Sequence, residues 1–279
     1  MVESRPPSQP GTLPDPNAKT WAKKLFSRSV LKQLKWKALE KAAGDPAQKR
    51  CLDLGSDNGV VSLLFREKGG KWRSADLDPG AVESIRALVG DPVELLRDSV
   101  LPYPDAAFDL VVVVDMFEHV HDDGRLASEI ARVLVPGGKL VVNVPHHVPG
   151  SPLRRLRLRL GLTDEKHGHV RPGYDRESLR TLLQNKFEDF SFTTTVGPFS
   201  EMVDILLSLA LERASGGAAP TGKGAVLTHG EAAKLKKKVA VYAAIYPFLK
   251  AFSALDCLAP GSKGSLLVAT ASRRRNAAA

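Results

Sequence analysis

The chain has 279 residues, of which 43% are hydrophobic and 25% are charged, and its net charge at pH 7 is +9. This composition is typical of a globular protein with a sizeable core, organised as one large domain or as one domain with an added segment. The two cysteines, Cys51 and Cys257, exclude a disulfide framework and a cysteine-based metal site. They favour a reducing cytoplasm as the location.

The excess of positive charge raises nucleic acids and anionic membranes as partners. Basic residues concentrate in four segments, which are Lys23–Lys37, Arg154–Arg159, Lys234–Lys238 and Arg273–Arg275. These segments lack the regular aromatic interleaving of a platform on which bases stack. We therefore interpret them as solvated helix faces or as a solubility tail, and nucleic acid is the less favoured partner.

The organisation of the chain follows from shifts in composition. Residues 1–17 contain five prolines and no apolar periodicity, which predicts a disordered leader without the apolar segment of a signal peptide. Residues 18–46 contain a helical repeat of apolar residues that ends at a Gly-Asp-Pro stretch, so we predict an N-terminal cap helix. The main domain is predicted at 47–272, with a helical insertion at 198–262 and a basic tail at 273–279.

From residue 51 onwards, short strands and helices alternate along the chain. The most regular strand is predicted at Phe108–Asp115, where a β-branched run without polar alternation predicts burial of both faces. Such alternation implies a doubly wound parallel sheet with right-handed crossovers. The predicted strands are 49–54, 72–76, 93–97, 108–115, 139–144, 190–196 and 265–272, and the predicted helices between them are 59–67, 79–88, 123–134 and 176–185.

About seventy residues separate the last two predicted strands, far more than the roughly 2–5 residues of a hairpin loop. Within this insertion, helices are predicted at 201–213 and 231–255, on either side of a flexible segment rich in glycine and proline at 216–224. The second helix is too short and too interrupted by polar residues and proline to span a membrane.

The segment 51–61 predicts a strand, a glycine turn and a helix start. Apolar residues surround Asp53, and the two glycines Gly55 and Gly59 let the backbone bend sharply against a ligand. In open α/β sheets this position is the ligand crevice. The spacing Asp-x-Gly-x-x-x-Gly differs from the G-x-G-x-x-G of dinucleotide sites, which argues against a nicotinamide dehydrogenase.

Further features follow in order along the chain. An acid, Asp76, ends the second predicted strand 23 residues after Asp53, and Asp98 ends the third. A Pro-Tyr-Pro-Asp run precedes the fourth strand, Asp-Met-Phe-Glu-His-Val follows it at 115–120, and a Glu-x-x-Arg-x-Leu-x-Pro-Gly-Gly block occupies 129–138. With the glycine turn, these features over residues 51–144 resemble the class I S-adenosylmethionine (SAM) methyltransferases, in particular the UbiE-like small-molecule enzymes.

The resemblance implies an α/β, Rossmann-like, doubly wound sheet of seven strands in the order 3-2-1-4-5-7-6, with strand 7 antiparallel. It also implies SAM as the cofactor. In the family, the first loop holds the methionine moiety, the acid after strand 2 binds the ribose hydroxyls, and the acid after strand 3 binds the adenine. The cofactor residues implied in this chain are Asp53, Gly55, Ser56, Asp57, Gly59, Asp76, Leu77, Asp98, Ser99 and Asp115.

One position departs from the family pattern. Asp57 stands where the usual Gly-x-Gly-x-Gly has its middle glycine, and aspartate tolerates a positive φ less well than glycine does. Its carboxylate is expected to face the sulfonium, the methionine amine or solvent. A methyltransferase-like protein that binds a partner without turnover is therefore an alternative function.

Histidines provide the candidate bases for an oxygen acceptor, because histidine changes its protonation near neutral pH. The Gly-His-Val-Arg stretch at 168–171 resembles a segment that borders the acceptor pocket in many small-molecule methyltransferases. We place His169 first, followed by His167 and His146, as catalytic candidates. No cysteine or carboxylate pattern completes the pair His167 and His169, so no metal site is predicted.

The insertion favours a partly apolar acceptor. Within its second helix, four lysines between 234 and 238 precede the apolar segment 239–249, a basic-then-apolar pattern typical of a helix that lies on an anionic membrane. The favoured interpretation is a helical cap over the acceptor side, whose apolar residues would likewise suit an apolar acceptor. We expect O- or C-methylation of a small molecule, with lipids and lipid-linked molecules among the candidates, in a cytoplasmic protein with or without peripheral membrane contact. Methylation of nucleic acid or protein through the basic surface is the alternative activity.

Overall fold

The computed structural model describes residues 18–97, 99–214, 243–259 and 263–275. The predicted leader, Asp98, the glycine-rich part of the insertion with its lysines, and the end of the basic tail lie outside the described residues.

Seven strands form one sheet in the order β3-β2-β1-β4-β5-β7-β6. The first five strands run parallel, and β7 runs antiparallel to both β5 and β6. This topology confirms the predicted fold. The strands are β1 (Arg50–Leu54), β2 (Lys71–Asp76), β3 (Val93–Leu95), β4 (Phe108–Val114), β5 (Leu134–Pro145), β6 (Phe187–Thr195) and β7 (Leu266–Arg273).

Helices connect and cover these strands. In the described residues they are α1 (Ala18–Phe26), α2 (Val30–Ala43), α3 (Val60–Glu67), α4 (Pro79–Val89), α5 (Asp123–Val133), α6 (Pro152–Arg159), α7 (Arg176–Leu183) and α8 (Pro198–Ala214), and residues 243–254 are also helical. The predicted single N-terminal helix is two helices. The break falls at Ser29, whose hydroxyl oxygen accepts a hydrogen bond from the Lys32 backbone N–H and begins α2.

The strand β5 begins five residues before the predicted start. Leu134 already pairs with Phe108 of β4, and the register then shifts before Lys139 pairs with Leu110. The tight bend at Gly138 explains the shift, because an added Cβ there would lie 2.7 Å from the Val135 carbonyl oxygen. The Pro-Gly-Gly run at 136–138, which directly follows the predicted helix 123–134, therefore lies within the strand.

The centre of the core is β4, and the prediction that both its faces are buried is confirmed. Val111 and Val113 face one hydrophobic cluster, whereas Leu110 and Val112 face another, and all four are fully buried. On the second face, Trp36 of α2 joins an aromatic stack with Phe65 and Trp72. Burying an aromatic ring contributes about 1.5–3 kcal/mol, so this stack fixes α2 against the sheet.

The described parts of the insertion dock onto the domain. Tyr246 accepts a hydrogen bond from Gln33 of α2 at 2.9 Å, and Asp256 accepts one from the Phe199 backbone N–H at the start of α8 at 2.8 Å. In the described part of the chain, none of the helices has the length and apolar character needed to cross a membrane.

Candidate functional site

The loop between β1 and α3 lies at the carboxyl edge of the parallel strands. Gly55 has a φ of 82°, and an added Cβ there would lie 2.3 Å from the Val114 carbonyl oxygen. Gly59 has a φ of 79°, and its added Cβ would lie 2.7 Å from the Cα of Ile85. Both positions therefore require glycine, since a side chain would collide with the backbone of β4 or α4.

Asp57 lies between these glycines and adopts a φ of 50°. This is the left-handed conformation that glycine takes readily, so the loop keeps the shape expected of Gly-x-Gly-x-Gly. The Oδ1 atom of Asp57 is buried and has no hydrogen-bond partner among the described residues. An unpaired buried carboxylate oxygen is costly, and it marks a place for a donor or a cation.

Asp53 lies beneath the loop and is fully buried. Its Oδ2 atom accepts hydrogen bonds from the hydroxyl groups of Ser62, Ser74 and Ser56, and the Arg66 guanidinium lies 3.8 Å away. Burial raises the pKa of Asp53, and the attraction of Arg66 and the hydroxyl hydrogen bonds oppose this shift. The geometry gives Asp53 and Ser56 a role in positioning the loop. Their direct contact with a cofactor stays a prediction.

Asp76 ends β2 beside the same loop. It is 5% exposed, and its Oδ1 atom accepts a hydrogen bond from the Asp78 backbone N–H at 3.1 Å. The Gly55 N–H donates to the Ala75 carbonyl oxygen at 3.1 Å, which holds the loop against the end of β2. The acid and the glycine turn therefore lie at one edge of the sheet, as predicted.

The predicted cofactor residues after β2 and β3 are described in part. Leu77 is half-buried against the main hydrophobic core, and Ser99 is buried with a φ of 59°. Asp98, which is predicted to bind the adenine of SAM, lies outside the described residues.

Asp115 follows β4 and meets the N-terminal helix α2. Its carboxylate forms an ion pair with Lys35 and accepts a hydrogen bond from the Asn143 side-chain amide at 2.9 Å. Burial lowers the pKa of Lys35, but the attraction and hydrogen bond of Asp115, with a smaller contribution from Glu118, outweigh it and raise that pKa. Lys35 is therefore charged at neutral pH. From α2, its ammonium group reaches the carboxyl end of β4, a position that the sequence did not indicate.

His169 lies beside His119, with the two ring centroids 4.8 Å apart in an edge-to-face arrangement. The fully buried Glu118 belongs to the same cluster, and one side-chain N or O atom from each of the three residues lies within 4.8 Å of the others. The His119 Nδ1 atom lies 2.9 Å from the Gly168 carbonyl oxygen. The sequence placed Glu118 in a family segment but did not indicate that it contacts the predicted acceptor side.

The other two predicted histidines occupy different positions. His146 follows β5, and its Nδ1 atom lies 2.6 Å from the Gly264 carbonyl oxygen at the start of β7. Burial lowers the pKa of His146. His167 lies in a short 3₁₀ turn, Glu165–His167, and its side chain is outside the description. The structure thus brings His169, and not His146, together with the groups at the end of β4.

The residues at this edge fit SAM. The cofactor has a sulfonium, an amine and two ribose hydroxyls, which are a positive centre and hydrogen-bond donors. Acids stand at the matching places: Asp57 with an unpaired buried oxygen, Asp76 after β2 and Asp115 after β4. Carboxylates beside a glycine turn at the carboxyl ends of parallel strands are the arrangement by which open α/β sheets bind nucleoside cofactors.

A family model described as "Methyltransferase domain" matches residues 23–186, more than half of the chain. A demethylmenaquinone methyltransferase from Thermus thermophilus is 37% identical over 112 residues, covering 38% of this chain and 49% of that protein. A probable S-adenosylmethionine-dependent methyltransferase from Mycolicibacterium smegmatis is 32% identical over 105 residues, covering 37% of this chain and 40% of that protein. The chain therefore matches less than half the length of these two relatives.

Solved structures share the fold. The [4+2]-cyclase SpnF superposes with a TM-score of 0.55 at 19% sequence identity, covering 87% of this chain and 81% of that one. Such a likeness at low identity shows the architecture alone, whereas the residues matched by the family model, 23–186, include α2, the loop after β1 and the acids described above. The chain belongs to the SAM-dependent methyltransferase family.

Proposed function

We propose that the protein transfers the methyl group of SAM to an oxygen or carbon atom of a small, partly apolar molecule. The observation that carries this proposal is the cluster of Glu118, His119 and His169 close to Asp115 and Lys35 at the end of β4. This end of the strand is where the cofactor loop also lies. A methyl donor and proton-accepting groups would thus meet at one place.

Methyl transfer from a sulfonium is an in-line displacement, so the protein mainly holds the donor and the acceptor in line and excludes water. Asp57, Asp76 and Asp115 would bind the amine, the ribose hydroxyls and the positive region of the cofactor. Lys35 of α2 forms an ion pair with Asp115, and through this contact α2 would cover one side of the site. An oxygen acceptor loses its proton as the methyl group arrives, and His169 is the acceptor-side residue proposed to take it.

The sequence segment after β4 supports an oxygen or carbon acceptor. Enzymes that methylate the amino groups of nucleic acids or of glutamine carry an Asn/Asp-Pro-Pro-Tyr/Phe motif there, whereas this chain has Asp-Met-Phe-Glu at 115–118. Methylation of nucleic acid or protein rests on the net charge alone, so it remains the less supported activity.

Exposed apolar side chains support a partly apolar acceptor. Leu206 of α8 is 54% exposed, Phe248 is 76% exposed and Leu258 is 71% exposed. These large side chains belong to the described parts of the insertion, where Phe252 also packs edge-to-face on Phe199. The Thermus thermophilus relative is named for demethylmenaquinone, which agrees with an apolar acceptor.

Contact with an anionic membrane is a second proposal, and helix α6 supports it. This helix and its C-cap residue expose Leu156, Leu158 and Leu160 beside the exposed Arg155 and Arg159. Leucines next to arginines suit a helix that lies on anionic headgroups. We expect the wild type to sediment with phosphatidylserine vesicles, and a variant with Arg155 and Arg159 changed to glutamate to stay in the supernatant. Equal binding to neutral vesicles would contradict this proposal.

A binding protein without turnover is less supported than an enzyme. That alternative requires Asp57 to spoil the loop, yet this residue takes the left-handed conformation of the glycine it replaces. The loop glycines and the neighbouring acids lie where a cofactor site needs them.

Radiolabelled SAM tests the proposed activity directly. The full chain is incubated with lipid extracts and with polar metabolites in separate reactions, and label is expected in the lipid fraction. His169→Ala is expected to lose this transfer while its affinity for SAM stays unchanged. His121→Ala is the matched control, because His121 is an exposed histidine on the adjoining loop. Unchanged turnover in His169→Ala would remove His169 from the acceptor side.

A further inference from the structure

The cluster of Glu118, His119 and His169 contains two imidazoles and one carboxylate, and one potential ligand atom from each lies within 4.8 Å of the others. Two nitrogen donors and one oxygen donor are the protein ligands of many mononuclear zinc sites, in which a water or substrate takes the remaining position. The prediction of no metal site was based on the lack of a cysteine or carboxylate pattern that completes the pair His167 and His169. Glu118 supplies that carboxylate in space.

The hydrogen bond of the His119 ring suits a metal ligand. Its Nδ1 atom lies 2.9 Å from the Gly168 carbonyl oxygen, and a carbonyl oxygen only accepts hydrogen bonds. Nδ1 therefore carries the proton, so His119 would bind an ion through Nε2. Histidines that bind metals typically donate their second ring N–H to a backbone carbonyl or a carboxylate in this way.

Backbone and side-chain contacts hold the cluster together. The Val170 N–H donates to the Glu118 carbonyl oxygen at 2.8 Å, directly after His169 in the chain. Arg171 donates to the Val120 carbonyl oxygen at 2.7 Å and forms an ion pair with Asp123. The loop with His169 is thus clamped onto the segment with Glu118 and His119, which keeps the three side chains next to one another.

The chemistry of Glu118 also suits a cation. Its side chain is fully buried, and its negative charge contributes to the attraction that raises the pKa of Lys35. A divalent ion between Glu118 and the two imidazoles would be attracted by the same carboxylate at close range.

We propose that Glu118, His119 and His169 bind one divalent metal ion of the zinc class. Bonds of about 2.0–2.1 Å in a tetrahedral site bring ligand atoms to about 3.4 Å from one another, so the three side chains close inwards by roughly 1 Å on binding. A fourth position stays open for water or for an oxygen atom of the acceptor.

The bound ion would act as a Lewis acid that holds and polarises the acceptor oxygen. With the ion bound, His169 would be a ligand in place of the proton acceptor. The ion would lower the pKa of the acceptor hydroxyl, whose proton would pass to solvent water before the oxygen takes the methyl group. This role rests on the proposed function, whereas the binding of the ion does not.

Zinc binding by the untagged full chain tests the proposal. The protein is stripped with a chelator, and Zn²⁺ binding is measured by equilibrium dialysis in excess Mg²⁺. One equivalent is expected for the wild type and for His121→Ala, the exposed matched control. Glu118→Gln and His169→Ala are expected to bind at least tenfold more weakly, as losses of this size follow removal of even a supporting group. Zinc binding that is absent from the wild type, or equal in these variants, would overturn the site.

Two further measurements keep the result independent of folding and of activity. Zn²⁺ is expected to raise the midpoint of thermal unfolding of the wild type and not that of Glu118→Gln, because a ligand stabilises only the folded state that binds it. Co²⁺ in place of Zn²⁺ is expected to show the intense visible absorption of a four-coordinate ion. A wild-type chain that binds zinc and transfers no methyl group would reject the proposed function, whereas the metal site would stand.

Discussion

Lys35 of the N-terminal helix α2 forms an ion pair with Asp115 at the carboxyl end of the central strand β4. The two residues are 80 positions apart in the chain, and Asn143 of β5 donates a further hydrogen bond to the Asp115 carboxylate. The contact joins the cap helix to the edge of the sheet at which the cofactor loop lies.

Asp115→Asn is expected to weaken SAM binding about tenfold or more, since hydrogen bonds to charged groups contribute about 1.5–3 kcal/mol. The amide keeps the size of the side chain but loses the charge that pairs with Lys35 and attracts the cationic cofactor. Asp109→Asn is the matched control, because Asp109 lies near the other end of β4 and pairs with Arg50. Isothermal titration calorimetry measures the SAM affinity of both variants and of the wild type. An Asp115→Asn variant that binds SAM as tightly as the wild type would show that Asp115 does not contribute to the cofactor site.

Gly59→Ala is expected to destabilise the fold by about 2–4 kcal/mol, because a positive φ and overpacking each cost roughly 1–2 kcal/mol. The added Cβ would lie 2.7 Å from the Cα of Ile85. Gly90→Ala is the control: its φ is also 79°, but an added Cβ meets nothing within 4 Å. Urea unfolding of the two variants separates collision from backbone strain. A similar loss of stability in both would show that Gly59 is not required by packing.

Asp57→Gly is expected to stabilise the fold by about 1 kcal/mol, because glycine adopts a φ of 50° without strain and the unpaired buried oxygen disappears. Since the loop already has the required shape, we expect the SAM affinity to change less than tenfold. Asp57→Ala, which keeps the Cβ and loses the carboxylate, separates strain from charge. A gain of a hundredfold in affinity on Asp57→Gly would mean that aspartate impairs the native site.

Glu129→Gln is expected to destabilise the fold by about 1–3 kcal/mol at pH 7. The Glu129 carboxylate accepts hydrogen bonds from Arg132 and from the Leu101 backbone N–H, which tie α5 to the segment before β4. Its hydrogen bonds to Arg132 lower the pKa of Glu129, and burial opposes them. The stabilisation by the Glu129 carboxylate is therefore complete above about pH 4.3, the pKa of glutamate in the unfolded chain. It is lost as the pH falls through the lower pKa that Glu129 has in the folded protein.

Urea unfolding of Glu129→Gln and the wild type between pH 7 and pH 3 checks this pH dependence. The difference in unfolding free energy should shrink towards the acid end. Glu188→Gln is the control, because Glu188 pairs with Arg274 where both side chains are exposed and such pairs contribute little. A difference that stays constant with pH would contradict the proposed role of the Glu129 charge.

The sheet was predictable from local sequence signals. The β-branched run of β4, the glycine turn after β1 and the acid Asp76 each carry a physical requirement within a few residues. The strand order followed from the family resemblance, and the structure confirms it. The break at Ser29 was missed, because the apolar repeat continues through a residue whose capping hydrogen bond interrupts the helix.

The contacts that assemble the candidate site were not predictable in the same way. Lys35 shows no local signal, since its partner Asp115 follows β4 and lies 80 residues later in the chain. Glu118 meets His169 because Arg171 clamps one loop onto another through Asp123 and backbone carbonyl groups. Such pairings depend on the packed fold, and periodicity in the sequence carries no information about them.

Calorimetric titration of the full chain with SAM tests the central claim most directly. We expect one binding site with a dissociation constant between about 1 μM and 1 mM, the range in which enzymes commonly bind their substrates. The Asp115→Asn variant, measured beside the wild type, should bind more weakly at the same site. A wild-type chain that is folded and yet releases no heat with about 1 mM SAM would contradict the assignment of this edge of the sheet as a methyl-donor site.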